Sequence, residues 1–185
     1  MSLTIGGVRL RIDFTFLVFS AMLFLLRDSR TAFAFLTVCL VHESAHAAAL
    51  RLVGGRLSEI IFLGMGIRMI PQRNELLSAK RELAVLLAGP AANLVLFAAI
   101  SLKDSGNYFA FLNLCAALFN LLPYSFLDGG AALNLLFGFM RYSSPVLAAV
   151  RLLPVLFAAY AVIEYGNPFF IPLFVSIFYF LSEFR

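Results

Sequence analysis

Long apolar runs separated by short polar breaks make up most of the chain. Six of these runs predict helices that cross a bilayer. Five of them are near the roughly 20 residues that such a helix needs, and the fourth is longer. The predicted spans are residues 14–30, 32–50, 82–101, 108–140, 145–163 and 168–184. The fourth is broken near 123–130, because Pro123 cannot continue a helical ladder and Gly129-Gly130 relax the backbone. The pattern predicts an all-α membrane protein with six transmembrane helices, the fourth interrupted.

Two stretches outside the apolar runs show the alternation of a β-strand. The first predicts a strand at the membrane surface at about 7–13, where apolar and charged residues alternate. The second runs over 57–70 and contains Gly64 and Gly66 where a hairpin turn or bulge would fall. Together they predict a small membrane-associated β-sheet that lies against the helices.

Composition agrees with a membrane protein. The chain is 62% hydrophobic and only 13% charged, with a mean hydropathy of +0.96. No basic-then-apolar leader with a small-residue cleavage site precedes the first span, so we expect that helix to insert uncleaved. The net charge of +4 is explained by loop arginines that orient a membrane protein, so no nucleic-acid partner is expected. Cys39 and Cys115 lie inside apolar runs and predict no disulfide framework.

The basic residues predict the orientation, since cytoplasmic loops retain Lys and Arg. If the N-terminus is cytoplasmic, the inner side receives Arg9, Arg11, Arg51, Arg56, Arg68, Arg73, Lys80, Arg81, Arg141 and Arg185, and the outer side Arg27, Arg30 and Lys103. This asymmetry predicts a multi-pass protein with both termini in the cytoplasm.

The second span carries the only two histidines of the chain, His42 and His46, with Glu43 directly after the first. Residues four apart lie about 40° apart around a helix and about 6 Å apart along it, so both imidazoles can bind one ion. His-Glu-x-x-His is typical of zinc hydrolases, in which the Glu takes a proton from the attacking water. The alternative is a hydrogen-bonded structural pair, which the cost of ionisable groups in a membrane disfavours. Cys39 is interpreted as a small apolar filler.

A catalytic zinc site needs a third protein ligand, and Asp128 is the candidate, since no other histidine and no deep acid is left in the spans. Counted from the outer membrane face, the histidines lie about 17–22 Å along the second span, and Pro123 lies about 21 Å along the fourth. Both therefore lie at the same depth. The alternative is a helix hairpin with Asp128 as a surface N-cap.

The break in the fourth span predicts an unusual local structure. We expect 124–127 to be extended, followed by a helix from about Ala131 to Met140. Non-helical backbone at membrane depth is tolerated only where protein or a water-filled cavity covers it. Such a cavity would admit the water that hydrolysis needs.

The motifs HESAH, AGPAANLV and NLLPYSFLDG, in this order and spacing, resemble the site-2 protease family of intramembrane zinc metalloproteases. The resemblance covers nearly the whole chain and looks most like the sporulation-type branch, which processes an inactive sigma-factor precursor. It implies one metalloprotease domain over 1–185, with one Zn²⁺ held by His42, His46 and Asp128 and with Glu43 as general base. That branch often carries a nucleotide-binding domain after the last helix, and this chain ends without one, which puts control by ATP in doubt.

The resemblance also suggests residues that touch the substrate. Asn120 would contact the substrate backbone or the developing oxyanion; the alternative is that it caps backbone freed by Pro123. Gly64, Met65 and Gly66 would belong to a sheet that accepts an unwound substrate as an added strand; the alternative is a plain turn.

These features predict a zinc metalloendopeptidase that cleaves a membrane-embedded or membrane-associated protein near the cytoplasmic face, such as a sigma-factor precursor or an anti-sigma factor. Inhibitory or regulatory membrane proteins are further expected partners. The cleaved bond and the oligomeric state do not follow from the sequence. The chief alternative is a divalent metal-ion transporter, for which the spans offer few further ligands along a path. A non-catalytic scaffold descended from proteases is a third interpretation, which the intact glutamate and complete ligand set disfavour.

Overall fold

A computed structural model of the chain describes residues 2–64, 66–72, 77–124 and 126–137. In chain order the elements are β1 (Ser2–Ile5), β2 (Val8–Ile12), α1 (Phe14–Leu26), α2 (Ser29–Leu52), β3 (Leu57–Leu63), β4 (Gly66–Pro71), α3 (Ala79–Ser101), α4 (Tyr108–Asn120) and α5 (Asp128–Leu136). They belong to two compact units, Met1–Phe119 and Asn120–Arg185. The expected spans 145–163 and 168–184 and the residue Met65 lie outside the described residues.

The four strands form one sheet in chain order. The β1–β2 and β3–β4 pairs are antiparallel, whereas β2 and β3 are parallel and are connected through α1 and α2. The predicted small sheet is therefore confirmed, and β1 is an additional strand. Gly6 and Gly7 join β1 to β2 with φ of 57° and 81°, the left-handed values that a two-residue hairpin turn requires.

The sheet is held against α1 by contacts near the β3–β4 turn. The Gly64 N–H donates to Thr15 Oγ1 at 3.0 Å, and a Cβ at this glycine would lie 2.8 Å from the Thr15 carbonyl oxygen. Only glycine fits at that distance. The Phe16 and Phe62 rings meet edge to face, with 5.5 Å between centroids. In this part of the chain the sheet therefore lies against a helix, as predicted.

Aspartate caps begin both α1 and α2. Asp13 accepts a hydrogen bond from the Thr15 N–H, and Asp28 accepts one from the Thr31 N–H, each at 3.0 Å. The backbone N–H of Thr15 is the main cause that lowers the pKa of Asp13. The Thr31 hydroxyl, which donates at 2.6 Å, is the main cause that lowers the pKa of Asp28. These caps define where α1 and α2 begin.

Among the described residues, α2 and α3 are long and apolar enough to cross a bilayer, judged by length and composition. The helices α1 and α4 are apolar but have 13 residues each. In the fourth expected span the helix stops at Asn120 and resumes at Asp128, so the break covers 121–127 and not 123–130. The described helices thus show the interruption of the fourth span. The total of six spans stays a prediction.

The described residues of the break make short-range turn bonds, so the expectation of a continuous extended segment at 124–127 is wrong, although Leu127 itself has extended dihedrals. The Tyr124 N–H donates to the Leu122 carbonyl, and the Leu127 N–H donates to the Tyr124 carbonyl, both at 2.9 Å. Short-range bonds of this kind satisfy backbone groups after Pro123, which has no N–H to donate. The next helix therefore begins at Asp128, three residues before the expected Ala131.

Candidate metal centre

The buried face of α2 carries both histidines. Val38, His42, His46 and Leu50 are buried and follow one another at intervals of four residues. Only 5% of His42 and 8% of His46 is exposed. Because α2 packs mainly against α3, the imidazoles lie between these two helices.

The reactive nitrogens of the two rings point at one place. The Nε2 atoms lie 3.1 Å apart, and the rings are nearly perpendicular, with 4.8 Å between centroids. Two nitrogens bound to one tetrahedral zinc at the usual 2.0–2.1 Å lie about 3.3 Å apart. The separation therefore fits a pair of ligands that share an ion.

The far nitrogen of each ring is held by α3. The Nδ1 of His46 lies 2.7 Å from the Val85 carbonyl oxygen, and the Nδ1 of His42 lies 2.8 Å from Asn93 Oδ1. A carbonyl oxygen can only accept, so the His46 Nδ1 carries the hydrogen and its Nε2 keeps the lone pair. Metal-binding histidines usually have such an outer hydrogen bond, which fixes the ring and its tautomer.

Gly89 of α3 keeps the space beside the two Nε2 atoms open. A Cβ built on this glycine would lie 2.6 Å from His42 Nε2 and closer still to His46 Nε2. Gly89 therefore lets α3 approach closely, and the neighbour it approaches is the histidine pair. The chemistry of this unit fits a zinc ion: two imidazoles, outer hydrogen bonds on the far nitrogens, and a glycine beside the two Nε2 atoms.

The second unit carries Asp128 as the first residue of α5, where it is half-buried. Leu127 is the N-cap of this helix, so the interpretation of Asp128 as the capping residue is wrong. Gly129 allows the start of α5 to approach Leu121 of the break, because a Cβ there would lie 2.7 Å from the Leu121 Cα and closer to its carbonyl. Within this unit, the glycine fixes where the carboxylate emerges from the break.

The residues expected to touch the substrate lie on two elements. Asn120 is the last residue of α4 and is half-buried. Gly64 and Gly66 flank the β3–β4 turn, since Leu63 pairs with Gly66. The strand β4 is an edge of the described sheet, and the unpaired side of an edge strand is a template for an added strand.

No family model matches the chain. Stage IV sporulation protein FB of Bacillus subtilis (strain 168) is 34% identical over 110 residues, which cover 55% of this chain and 38% of that protein. The chain thus spans less than two fifths of that relative's length. The structure matches the site-2 protease from Methanocaldococcus jannaschii with a TM-score of 0.65 and 19% identity, over 99% of this chain and 93% of the other. The chain has the site-2 protease fold. Both matches agree with the resemblance drawn from the motifs: part of the chain is similar to a sporulation protein, and its fold is that of a solved site-2 protease.

Within the site-2 protease fold, the HESAH motif lies on α2 and the AGPAANLV motif on α3. Glu43 is half-buried on the same turn of α2 as His42. Cys39 is a half-buried free thiol, and the cluster of candidate metal ligands among the described residues does not include it.

Sequence reasoning missed three residues of this site-2 protease fold. Val85 could not be found from sequence, because it acts through its backbone carbonyl. The other two are the buried amides Asn93 and Asn113: Asn93 contacts His42 and donates to Asn113 Oδ1 at 2.9 Å. The available signal was chemical: an amide inside an apolar span must find a hydrogen-bond partner.

Proposed function

We propose that the chain is an integral-membrane zinc metalloendopeptidase, with a single protease domain over residues 1–185 and one zinc ion per chain. It would hydrolyse a peptide bond of a membrane-embedded or membrane-associated protein near the cytoplasmic face. The observation that carries the proposal is the His42–His46 pair, whose Nε2 atoms lie 3.1 Å apart in an HExxH motif. The likeness of the fold to a solved site-2 protease supports it.

The proposed metal ligands are His42, His46 and Asp128. Each offers one ligand atom, and two imidazoles with one carboxylate leave a fourth position open, as catalytic zinc sites require. The matched depths of the two motifs along their spans support Asp128 as the third ligand. When bound, zinc supplies Lewis acidity, which polarises a carbonyl and favours ionisation of water near neutral pH.

The remaining steps belong to this chain's own residues. Glu43 takes a proton from the attacking water and delivers it to the amine nitrogen of the departing segment. The side-chain amide N–H of Asn120 donates a hydrogen bond to the oxygen on which negative charge develops. His46 keeps its orientation through the Val85 carbonyl, so that its Nε2 stays available throughout.

The proposed substrate binds as an added strand. A helical substrate hides each carbonyl in its own hydrogen-bond ladder, so cleavage requires local unwinding. The outer side of β4, next to Gly64, Met65 and Gly66, would pair with the unwound segment through backbone hydrogen bonds. Residues of β4 alternate in exposure along most of the strand, which suits an edge with one face toward solvent or substrate.

The proposed cellular setting follows from the charge distribution and the relative. Basic residues on the inner loops support a multi-pass protein with both termini in the cytoplasm. Similarity to a sporulation protein supports a sigma-factor precursor or an anti-sigma factor as the substrate class. Inhibitory or regulatory membrane proteins would control access of that substrate.

Co-expression with candidate membrane-associated precursors tests the activity. The intact chain is expected to shorten its precursor, whereas Glu43→Gln is expected to bind zinc and leave the precursor at full length. Glu82→Gln is the matched control, because Glu82 is exposed in the first turn of α3; it should cleave normally. Full turnover by zinc-loaded Glu43→Gln protein would end the assigned role of Glu43.

The alternative function, a divalent metal-ion transporter, gains no support from the match to a site-2 protease. Proteoliposomes with the purified chain separate the two functions. A protease cleaves peptide without metal flux, and metal flux without peptide cleavage would favour the transporter.

A further inference from the structure

A line of three hydrogen bonds leads from α4 to the histidine pair within the first unit. The Asn113 amide nitrogen donates to the Phe109 carbonyl at 2.8 Å, and the Asn93 amide nitrogen donates to Asn113 Oδ1 at 2.9 Å. Asn93 Oδ1 in turn lies 2.8 Å from the Nδ1 of His42. Both amide side chains are 0% exposed, so they exchange these partners for water only at the cost of rearranging the packed helices.

The first bond fixes the direction of the others. The Phe109 carbonyl can only accept, so Asn113 must turn its NH₂ group toward Phe109 and its oxygen toward Asn93. Asn93 must then donate to Asn113 and present its own oxygen to His42. An oxygen at that position requires a hydrogen on the His42 Nδ1. Reversing either amide would bring two acceptors together and leave buried groups unsatisfied.

We propose that Asn113 is a positioning residue that, through Asn93, fixes the His42 tautomer in which Nε2 presents its lone pair to the metal. The inference rests on the proposed metal site, because the tautomer matters there only if Nε2 is a ligand. His46 reaches the same state by another route, since its Nδ1 donates to the Val85 carbonyl. The tautomer of His46 is thus fixed by the backbone of α3, and the tautomer of His42 is fixed, through Asn93, by a side chain of α4.

Zinc affinity tests the role of Asn113. Asn113→Leu removes both hydrogen bonds and keeps the branching and the number of heavy atoms, and competition with a chelator for Zn²⁺ gives the Kd of the full-length protein in detergent. Loss of an outer partner of a metal-binding histidine typically weakens metal binding about 10–100-fold, which we expect here. A wild-type Kd for Asn113→Leu would overturn the inference.

Asn107→Leu is the matched control, because it makes the same change just before the first turn of α4. Asn107 Oδ1 accepts from the N–H groups of Phe109 and Ala110 and so stabilises the start of that helix. This variant is expected to lower the thermal stability and to keep the Kd for zinc. An equal loss of affinity in both variants would mean that helix stability explains the effect, which overturns the inference.

The tautomer can be observed directly, since the chain has only two histidines. In ¹⁵N-histidine NMR spectra of the zinc-loaded protein, we expect a hydrogen on Nδ1 and zinc on Nε2 of both rings. In Asn113→Leu, exchange of the His42 Nδ1 hydrogen with water should become faster while that of His46 stays unchanged. Zinc on the Nδ1 of His42 in the wild-type protein would overturn the inference even if the variant failed to fold.

The failures of the two proposals are distinguishable. A wild-type protein that binds no zinc contradicts the proposed metal site. A wild-type protein that binds one zinc ion, next to an Asn113→Leu variant with the same Kd and the same His42 signals, contradicts the positioning role alone.

Discussion

The Nε2 atoms of His42 and His46 lie 3.1 Å apart, while α3 holds the far nitrogen of each ring. Because the His46 Nδ1 donates to a backbone carbonyl, its Nε2 carries a lone pair. The directed amide line gives His42 the same state. In neutral rings two lone pairs would face each other at this distance, and a cation shared between them would replace their repulsion with attraction. The pair could therefore hold a cation before any third ligand is considered.

Gly89→Ala tests the space beside this pair. Alanine is normally the better helix former, but the added methyl would overlap both Nε2 atoms. Overpacking typically costs about 1–3 kcal/mol, which corresponds to roughly 5–150-fold in zinc affinity if the ligands must move. Chelator competition measures the change. Gly106→Ala is the control, because its methyl would meet only an Asp104 oxygen at 3.8 Å, and it should bind zinc normally. Unchanged affinity in Gly89→Ala would show that the imidazoles point elsewhere.

The capping residue of α2, Asp28, predicts that the stability of the fold decreases at acidic pH. Hydrogen bonds from the hydroxyl and the N–H of Thr31 lower the pKa of Asp28 below its ordinary value of 3.8. A lowered pKa means that the ionised cap stabilises the fold above that ordinary value, and that this stabilisation is lost as the pH falls through the lowered value. Asp28→Asn, which keeps an acceptor for the Thr31 N–H, should retain most of the cap and lose its share of the pH dependence.

Thermal unfolding of the detergent-solubilised protein between about pH 2 and pH 7 measures this effect. Asp28→Ala should have a lower midpoint than Asp28→Asn at neutral pH. Identical pH profiles for the wild-type protein and Asp28→Asn would mean that the carboxylate does not stabilise α2.

If the substrate binds as a strand added to β4, it should cross-link to that edge of the sheet and not to the opposite edge. A photoreactive residue at Arg68, exposed on β4, should capture the substrate in the inactive Glu43→Gln background. The same probe at Thr4, exposed on β1 at the opposite edge of the sheet, should not. Gel mobility shifts of the co-expressed substrate report the capture. Equal capture at both edges would contradict binding through β4.

The sequence predicted the parts of the site that depend on spacing along one element. The interval of four between His42 and His46 dictates a shared helix face, and the structure shows their Nε2 atoms together. The glycines of the second strand-like stretch marked its turn, which lies between Leu63 and Gly66. Both follow from local geometry, which a single sequence carries.

Contacts between helices that are far apart in the sequence could not be predicted from spacing along one element. The bond from His46 to Val85 uses a backbone carbonyl, which every residue possesses, so residue type gave no signal. Asn93 and Asn113 were visible as amides in apolar runs, but their pairing depends on how α3 and α4 pack. A break near 123–130 was expected, yet its start after Asn120 and its turns were not, because Pro123 excludes a helix without selecting what replaces it.

Zinc content per chain in Asp128→Ala tests the central claim most directly, because that claim requires a carboxylate from the broken helix to join the two imidazoles. Metal analysis of purified protein is expected to give one zinc ion per chain for the wild-type, for Glu43→Gln and for the control Asp104→Ala, whose carboxylate lies in the exposed α3–α4 loop. Asp128→Ala is expected to retain far less than one. A full complement of zinc in Asp128→Ala would contradict the proposed metal centre.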